Sequence, residues 1–118
     1  MKQSLAVLVA LLLVACGGAS GGREIAISQR ELSGGQQSLE PKTVTIKAGE
    51  KVIFVVKNEG AQDHEFESDE ASIEEIVVPP GKLRRVPWQA PSKAGTYPVY
   101  CDLPGHRAAG MELSLVVE

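Results

Sequence analysis

Apolar and polar residues alternate along this chain over short stretches, and no window of useful length repeats an apolar position every three or four residues. A period of two is the mark of extended strands, whose side chains point alternately to opposite faces. The pattern predicts strands over Glu24–Ser28, Thr43–Lys47, Lys51–Asn58, His64–Ser68, Glu74–Val78, Lys82–Trp88, Gly95–Cys101 and Met111–Val117. Lys51–Asn58 is apolar on both faces, as a central sandwich strand would be. Pro79-Pro80-Gly81 makes a turn, Ser33–Ser38 reads as an exposed loop, and Ala71–Glu75 has room for one helical turn. About eight short strands in ~95 residues predict an all-β domain, an antiparallel Greek-key sandwich or barrel.

The first fifteen residues stand apart from this pattern. A lysine in a short polar start precedes an unbroken apolar run from Leu5 to Ala15. A span across a bilayer needs ~20 apolar residues, so this run reads as a secretory signal rather than a membrane helix. Its end, Leu13-Val14-Ala15-Cys16, resembles the lipobox of bacterial lipoproteins. That resemblance implies lipidation of Cys16 and anchoring of the exported chain to the outer face of a bacterial membrane. An ordinary cleaved signal would instead leave Cys16 a free thiol. The predicted organisation is a signal peptide over 1–15, a Gly/Ser-rich tether over 16–23 and one domain over 24–118.

Charge and cysteine usage narrow the function classes. The formal net charge is −3, which argues against nucleic-acid binding. The chain has two cysteines, and lipidation of Cys16 would leave Cys101 without a disulfide partner. An unpaired cysteine outside the cytoplasm is prone to oxidation unless something occupies it. The two histidines are His64 and His106, and Cys101, His106 and Met111 fall within the single stretch YCDLPGHRAAGM.

Strand parity tells which of these residues face inward. Cys101 continues the inward series Tyr97 and Val99, while Met111 begins the series Leu113, Leu115 and Val117. Pairing of the two strands as a hairpin would close the loop Asp102–Gly110, bring Cys101 and Met111 together and leave His106 midway along it. Upstream, His64 shares a face with Phe66, and Asp63, Glu65 and Glu67 take the other. Taken alone, His64 reads first as a core histidine with a hydrogen-bond partner. Together, a thiolate, two imidazoles and a thioether make a soft donor set suited to copper, and a His₂Cys plane with a weak axial Met is the blue-copper arrangement.

The Cys-x₄-His-x₄-Met spacing, the aromatic Tyr100 before the cysteine, Pro104-Gly105 before the histidine, Gly110 before the methionine and an upstream His64 together resemble the ligand loop of cupredoxins, the plastocyanin/azurin superfamily. The resemblance covers about residues 24–118. It implies one type 1 copper ion with His64, Cys101 and His106 equatorial and Met111 axial. Many members carry Asn directly after the early histidine; here Asp63 and Glu65 flank His64, and a carboxylate near the copper is expected to alter potential or colour.

The function expected from these features is single-electron transfer by a monomeric, membrane-tethered copper protein between redox partner proteins outside the cytoplasm. By the same resemblance, His106 should lie near the surface as the electron path, with Leu103, Pro104, Gly105, Ala108 and Ala109 around it as a docking patch. Seven acidic residues between Asp63 and Glu75 form either a steering surface or a solvated face. Copper delivery, storage or sensing without electron transfer is the alternative. An enzyme using Cys101 as nucleophile is disfavoured, because an inward cysteine in so small a β-domain has no room for a substrate. Trp88, the sole tryptophan, is expected in the core.

Overall fold

The computed structural model describes residues 22–118. They form nine strands: β1 Arg23–Glu31, β2 Gln37–Glu40, β3 Thr43–Ile46, β4 Lys51–Asn58, β5 His64–Ser68, β6 Ile73–Val78, β7 Leu83–Gln89, β8 Gly95–Tyr100 and β9 Glu112–Val117. The strands make two sheets, ordered β2-β1-β4-β7 and β3-β9-β8-β5-β6. No helix among the described residues is long and apolar enough to cross a membrane. Cys16 and the signal segment lie outside the described residues.

The expected all-β sandwich is therefore what the chain folds into, but its sheets are mixed. β1 pairs β4 in parallel, and β3 pairs β9 in parallel. Parallel neighbours need a crossover. Here, after the β1–β2 hairpin, the chain crosses to lay β3 on the other sheet before returning as β4. Alternation within one strand carries no information about its neighbour's direction, so the predicted antiparallel order missed both pairings.

Two local expectations are corrected. The Ser33–Ser38 segment is only partly loop: Ser33–Gly35 is a short 3-10 turn, and β2 starts at Gln37 as an edge partner of β1. Two glycines and two glutamines hide this strand from any propensity argument; pairing with β1 makes it. Ala71–Glu75 forms no helical turn, because Ala71 and Ser72 close a turn and Ile73 already begins β6.

The inner faces of both sheets fill one core. Val52, Phe54 and Val56 of β4 meet Phe66, Val99, Leu113 and Leu115 of the facing sheet. Phe54 packs its ring 5.4 Å from Phe66 and 5.6 Å from Trp88. Trp88 is buried, as expected, and donates its indole N–H to the Ala71 carbonyl at 2.8 Å, so its one polar atom is satisfied. β4 lies mid-sheet with its inward positions buried, while Ile53 and Val55 on its outer face are only half-buried. Gln29, Asn58, His64 and Ser68 are polar residues fully buried in this interior.

Candidate metal centre

The β8–β9 hairpin builds one side of this centre. Tyr100 of β8 pairs with Glu112 of β9, and the Cys101 N–H donates to the Met111 carbonyl at 3.1 Å. The ladder thus continues one step past the strands, so Cys101 and Met111 close the loop between them; both are fully buried. Inside the loop, the Met111 N–H donates back to the His106 carbonyl at 3.1 Å, and the His106 N–H to the Leu103 carbonyl at 3.0 Å. Gly105 and Gly110 adopt positive φ, and a Cβ on Gly110 would fall 2.5 Å from the Gln37 carbonyl oxygen. Only glycine lets the loop pass that close to β2. Outside, Arg107 lies 3.8 Å over the Tyr100 ring and bonds both carboxylate oxygens of Glu112 at 3.1 and 3.3 Å, which fastens the residue after His106 to the sheet.

The other side is assembled from residues distant in sequence. His64 opens β5, fully buried. The preceding loop is held by Asn58, whose side-chain amide donates to the Gln62 and Val78 carbonyls at 2.6 and 2.8 Å and accepts from the Gly60 N–H at 2.8 Å. His64 Nε2 lies 3.1 Å from the carboxylate of Glu31, at the end of β1. A carboxylate only accepts, so Nε2 carries the proton and Nδ1 keeps its lone pair.

These two sides converge. His64 Nδ1 and His106 Nδ1 are 3.2 Å apart, and Cys101 Sγ lies 3.4 Å from His106 Nδ1. The donor atoms of all three residues fall within 4.8 Å of one another. Donors held about 2.0–2.3 Å from a single ion at trigonal or tetrahedral angles stand about 3.2–3.8 Å apart. The spacing fits three donors that share one ion, although 3.2 and 3.4 Å are hydrogen-bond distances as well. Met111 supplies a buried thioether, hydrogen-bonded through its backbone to both Cys101 and His106.

The electrostatics suit a cation. Burial lowers the His64 pKa, outweighing the raising effect of Glu31, which favours the neutral ring with a free lone pair on Nδ1. Burial also pushes the Cys101 thiol up, so its thiolate needs a positive charge beside it; the Glu65 N–H, donating to Sγ at 3.2 Å, supplies only part of that. Glu31 is held below its ordinary value by the N–H groups of Ala61 and Gln62 and by His64.

Parity placed Glu65 and Glu67 on the face of β5 opposite His64. Glu65 is nonetheless buried, and Glu65, Glu67 and Glu75 bring carboxylate oxygens within 4.8 Å. Burial, then the charges of Glu65, Asp102, Glu75 and Asp69, push Glu67 up to about 6. Neither flanking carboxylate, Asp63 nor Glu65, hydrogen-bonds the His64 ring; Glu31 does. Its signal lay in the alternation Ile25, Ile27, Gln29, Glu31, which continues inward past the predicted strand end at Ser28. Around His106 the loop is uncharged apart from Asp102 and Arg107, with Pro104, Gly105 and Ala108 exposed and Leu103 half-buried.

The Cupredoxin-like domain family matches residues 4–113. The chain belongs to that family. Among its relatives is the "Copper-resistant cuproprotein CopI" of Rubrivivax gelatinosus, 35% identical over 97 residues that cover 66% of this chain and 58% of the relative. The chain thus spans little more than half the length of that protein. Reduced auracyanin from Roseiflexus castenholzii superposes with a TM-score of 0.66 at 22% identity, over 83% of this chain and 98% of that one. The copper-containing nitrite reductase of Thermus scotoductus does so with a TM-score of 0.70 at 13% identity, but over only 31% of its own chain against 83% of this one. At these identities the two structures show the shared fold alone. Copper is the cofactor to which this family and this donor set point.

Proposed function

We propose that this domain is a blue copper protein that carries single electrons between partner proteins outside the cytoplasm, anchored to a bacterial membrane through a lipid on Cys16. The observation that carries the reading is the meeting of His64 Nδ1, Cys101 Sγ and His106 Nδ1 around one point. In this reading those three residues hold the copper, with Met111 as the weak fourth donor, and the ion supplies a one-electron couple.

What the chain itself contributes is rigidity and shielding. Two sheets and a glycine-bounded loop fix three donors in place ahead of any ion, which keeps reorganisation between oxidation states small. Burial of Cys101 and Met111 keeps water and oxidants from the sulfurs. His106 is partly exposed, so an electron has a short way out through its ring, and the exposed Pro104, Gly105 and Ala108 beside it suit docking of a protein surface. Both histidines of the chain belong to this one site, which leaves no imidazole for a second copper centre and favours a carrier over an enzyme.

Copper titration of the purified protein with absorption and EPR tests the reading. One copper per chain, an intense thiolate-to-copper band and a reversible couple are expected; a colourless site that takes only Cu(I) would overturn electron transfer. The 35% identity to a copper-resistant cuproprotein favours a second reading, copper capture or transfer at the cell surface. Stoichiometric release of copper to an acceptor, without electron exchange, would establish it.

A further inference from the structure

Glu31 is the only carboxylate among the described residues whose side chain hydrogen-bonds one of the three converging side chains. It is also held unusually well. Its two oxygens accept the Ala61 N–H at 3.0 and 3.1 Å, the Gln62 N–H at 2.8 Å and, from His64 Nε2, a bond of 3.1 Å. The loop is shaped to the carboxylate: a Cβ on Gly60 would lie 2.5 Å from Glu31 Oε1 and 2.6 Å from its Cδ. One side chain of β1 thus clips together the β4–β5 loop and the imidazole that opens β5.

We propose that Glu31 is a positioning and tuning residue for His64, and that it biases the site towards Cu(II). This rests on the copper reading above. The carboxylate fixes the proton on Nε2, so that Nδ1 always presents its lone pair, and the fully buried ring cannot turn to escape that tautomer. A negative charge bonded to the far side of the ring makes Nδ1 a stronger donor, and a doubly charged ion gains more from this than a singly charged one. Asp63, adjacent in sequence, adds a nearby charge without a hydrogen bond to the ring, which makes it the natural control.

The experiment compares wild type, Glu31→Gln and Asp63→Asn loaded with copper, measuring Cu(II) and Cu(I) dissociation constants, midpoint potential and EPR. Glu31→Gln is expected to weaken Cu(II) binding by about 10–100-fold, Cu(I) binding by less, and to retain the EPR pattern. Each tenfold change in the ratio of the two affinities raises the potential by about 59 mV. Asp63→Asn is expected to change that ratio less than about threefold. An unchanged ratio in Glu31→Gln, or an equal shift in Asp63→Asn, overturns the proposal. Should Glu31→Gln fail to fold, ¹⁵N NMR of the copper-free wild type decides: a His64 proton on Nε2 in slow exchange supports it, and one on Nδ1 overturns it. Failure of the wild type to bind copper defeats the copper reading instead, and the tautomer can still be measured.

Discussion

The two sides of the centre are built on opposite principles. Cys101, His106 and Met111 are delivered by one hairpin whose loop bonds itself, from Met111 N–H to His106 and from His106 N–H to Leu103. His64 is delivered by contacts that span the chain: Glu31 on β1, Asn58 on β4 and Val78 on β6. A short loop of defined turns costs little entropy to close and holds its shape locally. A residue placed by three separate strands is correct only when the whole sandwich has formed. The loop side therefore presents Cys101, His106 and Met111 through local structure, and the remote side presents His64 only once the sandwich is complete.

Removing a donor from the loop side should have the largest effect. Cys101→Ala is expected to abolish the visible band and to lower Cu(II) affinity by more than about 100-fold, read by titration, while the copper-free fold persists by circular dichroism; a soft-metal site depends that strongly on its thiolate. Persistence of band and affinity would defeat the copper reading.

On the remote side, the prime target is Asn58. Asn58→Ala strips partners from two carbonyls and one N–H in a buried setting. A loss of about 2–4 kcal/mol in unfolding free energy is expected from denaturant titration, with weakened copper binding because the His64 loop loosens. Loss of stability without loss of affinity would show that Glu31 alone holds His64.

The acidic outer face of β5 lies behind both sides, and its effect is one of pH. A carboxyl whose folded pKa is raised binds its proton more tightly in the native state, so its stabilisation is present at low pH and lost as pH rises from about 4.5 through about 6. Glu67→Gln is therefore expected to raise stability at pH 7 by about 1 kcal/mol, with little change at pH 4, read from thermal melts across that range. No difference between the two pH values would show that burial and the neighbouring carboxylates do not raise Glu67.

Smallest of all should be the loop's external clasp. Arg107→Ala loses the stack on Tyr100 and the ion pair with Glu112, both at the surface, for about 0.5–1 kcal/mol. Because the loop's internal hydrogen bonds remain, copper affinity is expected to change less than about threefold. A larger fall would mean that the loop side depends on its surroundings as the remote side does.

Period-two alternation accounts for the inward parity of Cys101, Met111 and His64 and for the core strands, and the short connection between β8 and β9 for their hairpin. That rule fails wherever a partner strand rather than the side-chain pattern decides. β2 forms on Gln37–Glu40 because β1 offers it a ladder, and β1 runs on to Glu31 because β2 and the β4–β5 loop complete it. Glu65 lies on the face of β5 opposite His64, but that it is buried there is decided by its neighbours in the fold and not by parity. The two parallel pairings are equally invisible, for strand direction is a property of the connection path.

The sequence by itself therefore determined the candidate donors and their spacing, because ligand chemistry belongs to residue types and a hairpin loop brings near neighbours together. Only the tertiary structure decided that Glu31, rather than the adjacent Asp63 or Glu65, holds the His64 ring. Glu31 and His64 meet because β1 and β5 lie on facing sheets, and separation along the chain says nothing about distance across a core.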